Sequence, residues 1–168
     1  MRNKKVLFIV QAALIAAIYV ALTYLSSIAG LASGTIQVRI SEFMTLLAFY
    51  NKRFIPGLVI GCFIANIGSP FGLTDMIVGT FATFLAVWFM PKCKNVWLAS
   101  LSPVVFNAVI IGIELAYLGE VPFDISILGV MAYIGIGEFI AVTVIGVALM
   151  RLLLQSQIIR DYMKININ

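Results

Sequence analysis

The chain contains no histidine, only two cysteines and few charged residues among its 168 positions. Without histidine it cannot form Ser-His or Cys-His nucleophile systems, the H-E-x-x-H metalloprotease motif or most zinc sites. The two cysteines, Cys62 and Cys93, fit neither a disulfide framework nor a metal or redox pair, so both are predicted to be packing residues. The G-x-x-x-x-G-K-[ST] phosphate loop is also missing. We therefore expect neither an enzyme nor a resident metal or cofactor.

The small number of charged residues is typical of a protein that lies in a lipid bilayer. Hydrophobic residues make up 62% of the sequence and charged residues only 11%, a composition far from that of a soluble domain. The length leaves room for about six spans of roughly 20 residues with short loops, and none for an ATPase domain. The apolar run from Val6 to about Ile28 is too long for a signal peptide and predicts a retained first helix.

The basic residues are distributed unevenly along the chain. All except Arg39 fall in four clusters at alternate breaks between apolar segments, namely Arg2, Lys4 and Lys5; Lys52 and Arg53; Lys92 and Lys94; and Arg151, Arg160 and Lys164. The intervening breaks hold Asp75, Glu120 and Asp124 instead. This positive-inside pattern predicts an even number of crossings with both termini in the cytoplasm. Orientation and anionic headgroups account for the net charge of +4, and no nucleic-acid partner is expected.

The predicted fold is all-α, a single membrane domain over residues 1–168 formed by a bundle of six transmembrane helices. The predicted spans are approximately 6–28, 36–50, 54–68, 74–90, 96–118 and 125–152. Spans two and three are short for a hydrocarbon core of about 30 Å, so a re-entrant hairpin is an alternative. That hairpin would put Lys52 and Arg53 on the acidic side, and the charge rule favours six crossings.

Several polar side chains lie within or beside these apolar spans, where ionisable groups are costly and usually functional. The candidate binding residues are Arg39, Glu42, Asn66, Asp75, Asn107, Glu114 and Glu138. Asn107 and Glu114 are two helical turns apart and share a face, as do Arg39 and Glu42 at i and i+3. We expect these groups to form a polar pocket that opens outward.

Each candidate also has a structural interpretation. Arg39 can form an ion pair with Glu42 or Glu138, and Glu114 can be a solvated rim residue. Asp75, or Thr74 beside it, can cap the fourth helix. The amides of Asn66 and Asn107 can join helices. The aromatic residues Trp88, Trp97, Tyr117 and Tyr133 are expected mostly at the membrane interface or facing lipid.

Small residues recur on the first span. Ala12, Ala13, Ala16, Ala17 and Ala21 form overlapping Ala-x-x-x-Ala pairs. Small residues four apart let another helix approach closely. The stripe therefore predicts either a partner protein or an internal helix contact.

Two stretches of sequence resemble a known family. Ile36-Gln37-Val38-Arg39-Ile40-Ser41-Glu42 resembles the Gln-x-Arg-x-Ser-Glu signature of the QueT family. Gly61-Cys62-Phe63-Ile64-Ala65-Asn66, followed by Asp75-x-x-x-Gly79-Thr80 and Ala82-Thr83, is similar to the same family, over about residues 8–150. The alanine stripe resembles the contact motif of substrate-binding (S) components of energy-coupling factor transporters, to which QueT belongs.

The resemblance implies a six-helix S component in a prokaryotic plasma membrane. Such a protein would bind a queuosine precursor, a 7-deazaguanine base in its 7-cyano or 7-aminomethyl form, on the outer side. Its first helix, at Ala12, Ala13, Ala16 and Ala17, would dock on a transmembrane coupling subunit that carries two cytoplasmic ATPases.

The chemistry of a guanine-like base suggests roles for the polar residues. One carboxylate, Glu138 or Glu114, would accept N1–H and the exocyclic amine, and Asn66, Asn107 or Arg39 would donate to O6. A second carboxylate, Glu42 or Asp75, would favour the cationic aminomethyl form. The alternatives are a proton-coupled secondary transporter using Glu114 and Glu138, an S component for another vitamin, and a scaffolding protein without a ligand.

Overall fold

The computed structural model describes residues 4–31, 38–121 and 125–163, and within these ranges the chain consists of helices joined by turns, without strands. Gln37 of the signature, residues 32–36 before it, and the basic residues Arg2 and Lys164 lie outside these ranges.

Seven helical elements follow one another along the described chain. They are α1, Lys4–Ile28; α2, Ile40–Tyr50; α3, made of Lys52–Phe54, Ile55–Ala65 and Asn66–Gly68; α4, Leu73–Lys92; α5, Val96–Tyr117; α6, Ile127–Leu153; and α7, Gln157–Met163. Of these, α1, α4, α5 and α6 are long and apolar enough to cross a membrane. The all-helical membrane fold is thereby confirmed. The helix bounds lie close to the ranges predicted as spans, except that the second helix begins at Ile40 and Arg39 before it is extended.

The short helix α2 occupies the centre of the molecule. Its first seven residues, Ile40–Leu46, form a 3₁₀ helix, and Leu47–Tyr50 continue as α-helix. Leu46 and Ala48 are fully buried, packed among apolar side chains of α3 to α6 such as Leu58, Val87, Val142 and Met150. Ser26 Oγ of α1 accepts the Ile40 backbone N–H at 2.9 Å, which satisfies a donor at the start of α2. Longer neighbouring helices therefore surround this short helix.

Helices α1 and α3 pack closely through small residues. A Cβ built on Gly57 would lie 2.7 Å from the carbonyl oxygen of Ala12, and one on Gly61 would lie 3.0 Å from the Cα of Ala16. Only glycine at these two positions allows the backbones to approach so closely. Part of the alanine stripe is therefore used inside the protein.

The described basic clusters gather at one end of the bundle. The Arg53 guanidinium lies 5.7 Å from the Phe8 ring centre, and Arg151 lies 5.1 Å from the Trp97 ring centre. The turn between α2 and α3 therefore lies at this basic end. A re-entrant hairpin with Lys52 and Arg53 at the acidic end does not fit this arrangement.

Helix α6 changes its winding in the middle. Ile127–Glu138 is α-helical, Phe139–Gly146 is a π-helix, and Val147–Leu153 is α-helical again. The π segment packs on the 3₁₀ segment of α2, where a Cβ on Gly146 would lie 2.9 Å from the Phe43 Cβ. Irregular helical segments of this kind are frequent at functional sites. Here the π segment begins directly after Glu138, and the 3₁₀ segment contains Glu42.

Candidate functional site

A cavity of about 300 Å³ lies between α2, α4, α5 and α6 at the end of the bundle opposite the basic clusters. Its lining consists of Arg39, Glu42, Phe71, Asp75, Gly79, Thr83, Asn107, Ile111, Glu114, Leu115, Glu120, Ile125, Val130, Tyr133, Ile134 and Glu138. Helices α4, α5 and α6 each contribute residues spaced three or four apart, the spacing of one helical face. The volume is at the lower end of the range of ~300–1,000 Å³ for small-molecule sites.

The guanidinium of Arg39 is held by α3 and α4. Its Nη2 lies 4.0 Å from Asp75 Oδ2, and its Nη1 donates to Asn66 Oδ1 at 3.3 Å. The Asn66 amide in turn donates to the Asp75 backbone carbonyl at 3.3 Å. The predicted ion pair of Arg39 with Glu42 or Glu138 is wrong, because Asp75 takes this role. The predicted helix-capping role of Asp75 or Thr74 is also wrong, because Gly72, with φ of 59°, precedes α4 without a side-chain cap.

Glu42 enters the cavity from the 3₁₀ segment of α2. It is 2% exposed, and its Oε1 accepts a hydrogen bond from the hydroxyl of Tyr19, which is itself buried on α1. Thr23 of α1 donates to Ser41 Oγ at 2.7 Å beside this bond. Polar groups of α1 thus fix the start of α2 and the direction of the Glu42 side chain.

Glu138 and Asn107 meet across α5 and α6. Asn107 Nδ2 donates to Glu138 Oε1 at 2.7 Å, and both side chains are at least nine-tenths buried. This contact therefore holds Glu138 in place at the depth where the π segment of α6 begins.

Glu114 lies on the same face of α5 as Asn107, two turns nearer the mouth of the cavity. It is 5% exposed, and neither of its carboxylate oxygens has a hydrogen-bond partner among the described residues. Seven residues at 1.5 Å rise place it about 10 Å from Asn107 along the helix axis. Its predicted alternative, a solvated rim residue, does not fit this burial.

Glu120 forms part of the rim. Its backbone N–H donates to Leu115 O at 2.9 Å beyond Gly119, whose φ of 76° closes α5 with a left-handed turn. The side chain is exposed at the mouth of the cavity. It therefore differs from Glu114 in burial while sharing its charge.

The cavity holds more acceptors than donors. Its lining contains five carboxyl groups and one guanidinium. Four buried carboxylate oxygens, Glu42 Oε2, both oxygens of Glu114 and Glu138 Oε2, lack a partner within the described chain. Each unsatisfied buried polar atom costs ~1–3 kcal/mol. The arrangement therefore suits a ligand that brings several N–H donors or a positive charge.

The structure thus brings six of the seven candidate residues to one cavity, and Asn66 lies behind the lining as the support of Arg39. Two tyrosines, Tyr133 and Tyr19, belong to the site although the sequence did not predict this. Tyr133, expected at the interface or facing lipid, lines the cavity, whereas Trp88, Trp97 and Tyr117 are exposed on the bundle surface. The sequence did not predict a role for Tyr19; the signal it offers is a tyrosine four residues before Thr23, on the helical face of Ile15 and Ala16.

The alanine stripe divides between two faces of α1. Ala16 is buried and Ala12 half-buried, both against α3, whereas Ala13, Ala17 and Ala21 are exposed. Helix α3 thus covers Ala16 and part of Ala12. The exposed face formed by Ala13, Ala17 and Ala21 remains available.

The described residues contain no group of three or more His, Cys, Asp or Glu side chains arranged to hold a metal ion. Of the two cysteines, Cys62 is buried with its sulfur 3.3 Å from Thr83 Oγ1, and Cys93 is half-buried near the basic end.

Comparison with known proteins matches this arrangement to one group. The family described as "QueT transporter" matches residues 9–155. A protein of Lactococcus lactis subsp. cremoris (strain MG1363), named "Queuosine precursor transporter QueT", is 34% identical over 158 residues, covering 83% of this chain and 93% of that protein. No solved structure gives a significant match. Sequence and helical membrane fold together show that the chain belongs to the QueT transporter family, and this membership supports a transport role rather than an enzymatic one.

Proposed function

We propose that this chain is the S component of an energy-coupling factor importer and binds a 7-deazaguanine base in the cavity between α2, α4, α5 and α6. The observation that carries the proposal is the set of four buried carboxylate oxygens without a partner among the described residues, all of which belong to residues that line that cavity. The name of the Lactococcus relative, a queuosine precursor transporter, supports the substrate class.

The ligand chemistry complements this set. A 7-deazaguanine base carries N–H donors at N1, N9 and the exocyclic amine, which match the free acceptors of Glu42, Glu114 and Glu138. Glu138, already oriented by Asn107, would accept the forked N1–H and amine donors, and Arg39 would donate to O6. The aromatic side chains of Tyr133 and Phe71 in the lining are suited to stack on the planar base.

The orientation follows from charge. The basic ends of α3, α5 and α6 would face the cytoplasm under the positive-inside rule, so the cavity would open on the outer side of the plasma membrane. Helices α2 and α3 would then complete six crossings with both termini inside. The turn that connects α2 and α3 lies beside Phe8, which supports six crossings rather than a re-entrant hairpin.

The partner would be a transmembrane coupling subunit with two cytoplasmic ATPases. The chain itself carries no phosphate loop, so it would need an external source of energy. The exposed small residues Ala13, Ala17 and Ala21 of α1 form the surface on which that subunit would dock. Ala12 and Ala16 would act indirectly, by holding α1 on α3.

Binding of a panel of deazapurines, guanine, adenine and vitamins to the purified chain tests this function. We expect 7-deazaguanines to bind and Glu138→Gln to weaken them, because the amide loses one acceptor of the fork. Unchanged affinity in Glu138→Gln would contradict the assignment of this residue. Binding of a vitamin alone would indicate an S component of other specificity.

The main alternative, a proton-coupled secondary transporter, draws on the same buried carboxyl groups of Glu114 and Glu138. Liposome uptake separates the two functions. An S component needs its coupling subunit and ATP, whereas a secondary transporter accumulates substrate from a proton gradient with this chain alone.

A further inference from the structure

The polar groups of the cavity lie at two depths. Glu42, Asn107 and Glu138 form the deep level, where each carboxylate already has one donor from the protein. Glu114 forms the upper level, about 10 Å nearer the mouth along α5. A bicyclic base with hydrogen bonds at both ends can bridge such a separation.

Among the described residues, Glu114 of the upper level has neither an ion-pair nor a hydrogen-bond partner. Glu114 is 5% exposed and both of its oxygens are unpaired, whereas the one guanidinium of the lining, that of Arg39, is engaged by Asp75 and Asn66. Burying an unpaired charge costs far more than burying a neutral group without a partner. A cation brought by the ligand would remove this cost.

The two precursor forms differ in this respect. On a 7-deazaguanine, the C7 substituent lies across the bicycle from the exocyclic amine, so an amine edge held at the deep level directs C7 toward the mouth. The aminomethyl group is a primary ammonium with three donors, while the nitrile is an acceptor without any. A nitrile beside Glu114 would place its nitrogen, a hydrogen-bond acceptor, against carboxylate oxygens that are also acceptors.

We propose that Glu114 is the cation-binding and specificity-determining residue of this cavity, which selects a primary ammonium on the base over the neutral nitrile. The inference rests on the proposed binding of deazaguanines. It assigns to Glu114 the role for which the sequence suggested Glu42 or Asp75, because the geometry gives those two carboxylates partners in Tyr19 and Arg39.

The test is a double comparison of Kd values for the 7-aminomethyl and 7-cyano bases, using the wild-type chain and Glu114→Gln. The wild type should prefer the aminomethyl base. Glu114→Gln should bind it about 10- to 100-fold more weakly, since a hydrogen bond to a charged group is lost. The same variant should bind the nitrile unchanged or more tightly, because the glutamine amide can donate to it.

Matched variants define the controls. Asp161→Asn removes the same charge from the exposed surface of α7, outside the cavity lining, and should change neither Kd beyond about twofold, because exposed charges contribute little. Glu138→Gln alters the deep level and should weaken both bases alike. Equal losses for the two bases in Glu114→Gln, or no loss, would overturn the assignment.

Two outcomes separate this inference from the proposed function. If the wild type binds both bases equally, the function stands and the role of Glu114 is wrong; if it binds neither, the function itself fails. If Glu114→Gln does not fold, the effect of the ligand's positive charge can be tested with the neutral 7-hydroxymethyl base and the wild-type chain. It should bind about 10- to 100-fold more weakly than the aminomethyl base, and equal affinity would overturn the proposal.

Discussion

Replacing Gly61 with alanine tests the contact on which the position of α1, and with it Tyr19, depends. The added Cβ would lie 2.9 Å from the Tyr19 Cβ and 3.0 Å from the Ala16 Cα, so one helix must move. Overpacking of this kind costs ~1–3 kcal/mol, and the better helix propensity of alanine returns up to ~1 kcal/mol. We therefore expect Gly61→Ala to destabilise the protein by roughly 1–2 kcal/mol.

Thermal unfolding of the purified protein in detergent provides the measurement. For a chain of this size the loss corresponds to a Tm lower by ~2–8 °C. Because the Tyr19 hydroxyl donates to Glu42, the same variant should also bind ligand more weakly. Gly135→Ala is the matched control. Its Cβ would lie 3.6 Å from the nearest atom, the Ala108 Cβ, so its Tm should be unchanged or higher. Equal Tm values in the two variants would refute the account of the α1–α3 contact.

Three further predictions test the partner surface, the cavity and the orientation. Ala17→Leu should abolish copurification with a coupling subunit while ligand affinity and Tm stay unchanged, because Ala17 is exposed; normal assembly would count against this docking face. Tyr19→Phe should lower stability by ~1–3 kcal/mol, measured by denaturation, because Glu42 loses its donor; unchanged stability would show that this bond contributes nothing. A membrane-impermeant maleimide should label Cys93 only after cells are permeabilised, since this half-buried thiol lies near the basic end; labelling in intact cells would reverse the proposed orientation.

Much of the architecture could be predicted because lipid imposes strong constraints on sequence. Long apolar runs and alternating basic clusters gave four long helices and the position of the α2–α3 turn correctly. The convergence of Asn107 and Glu114 followed from helical spacing alone. The face of α1 that meets α3 could not be predicted from spacing. Ala12 and Ala13 are equivalent in the sequence pattern, and only the contacts with Gly57 and Gly61 of α3 distinguish them.

The pairing of charges could not be predicted for a different reason. Arg39 precedes α2 in extended conformation, so the helical i, i+3 relation to Glu42 does not apply, and Asp75 is brought to it by the turn before α4. The 3₁₀ segment of α2 and the π segment of α6 also leave no clear periodic signal. The first contains Glu42 and the second begins directly after Glu138, so both adjoin the deep level of the cavity.

The central claim is that buried, unpaired carboxylate oxygens receive the N–H donors of a single base. The most direct measurement compares the Kd of 7-deazaguanine with that of 7-deazahypoxanthine, which lacks only the exocyclic amine, for the wild-type chain. The account predicts that the second base binds at least about 100-fold more weakly, because acceptors at the deep level lose their partners. Equal affinity for the two bases would contradict it.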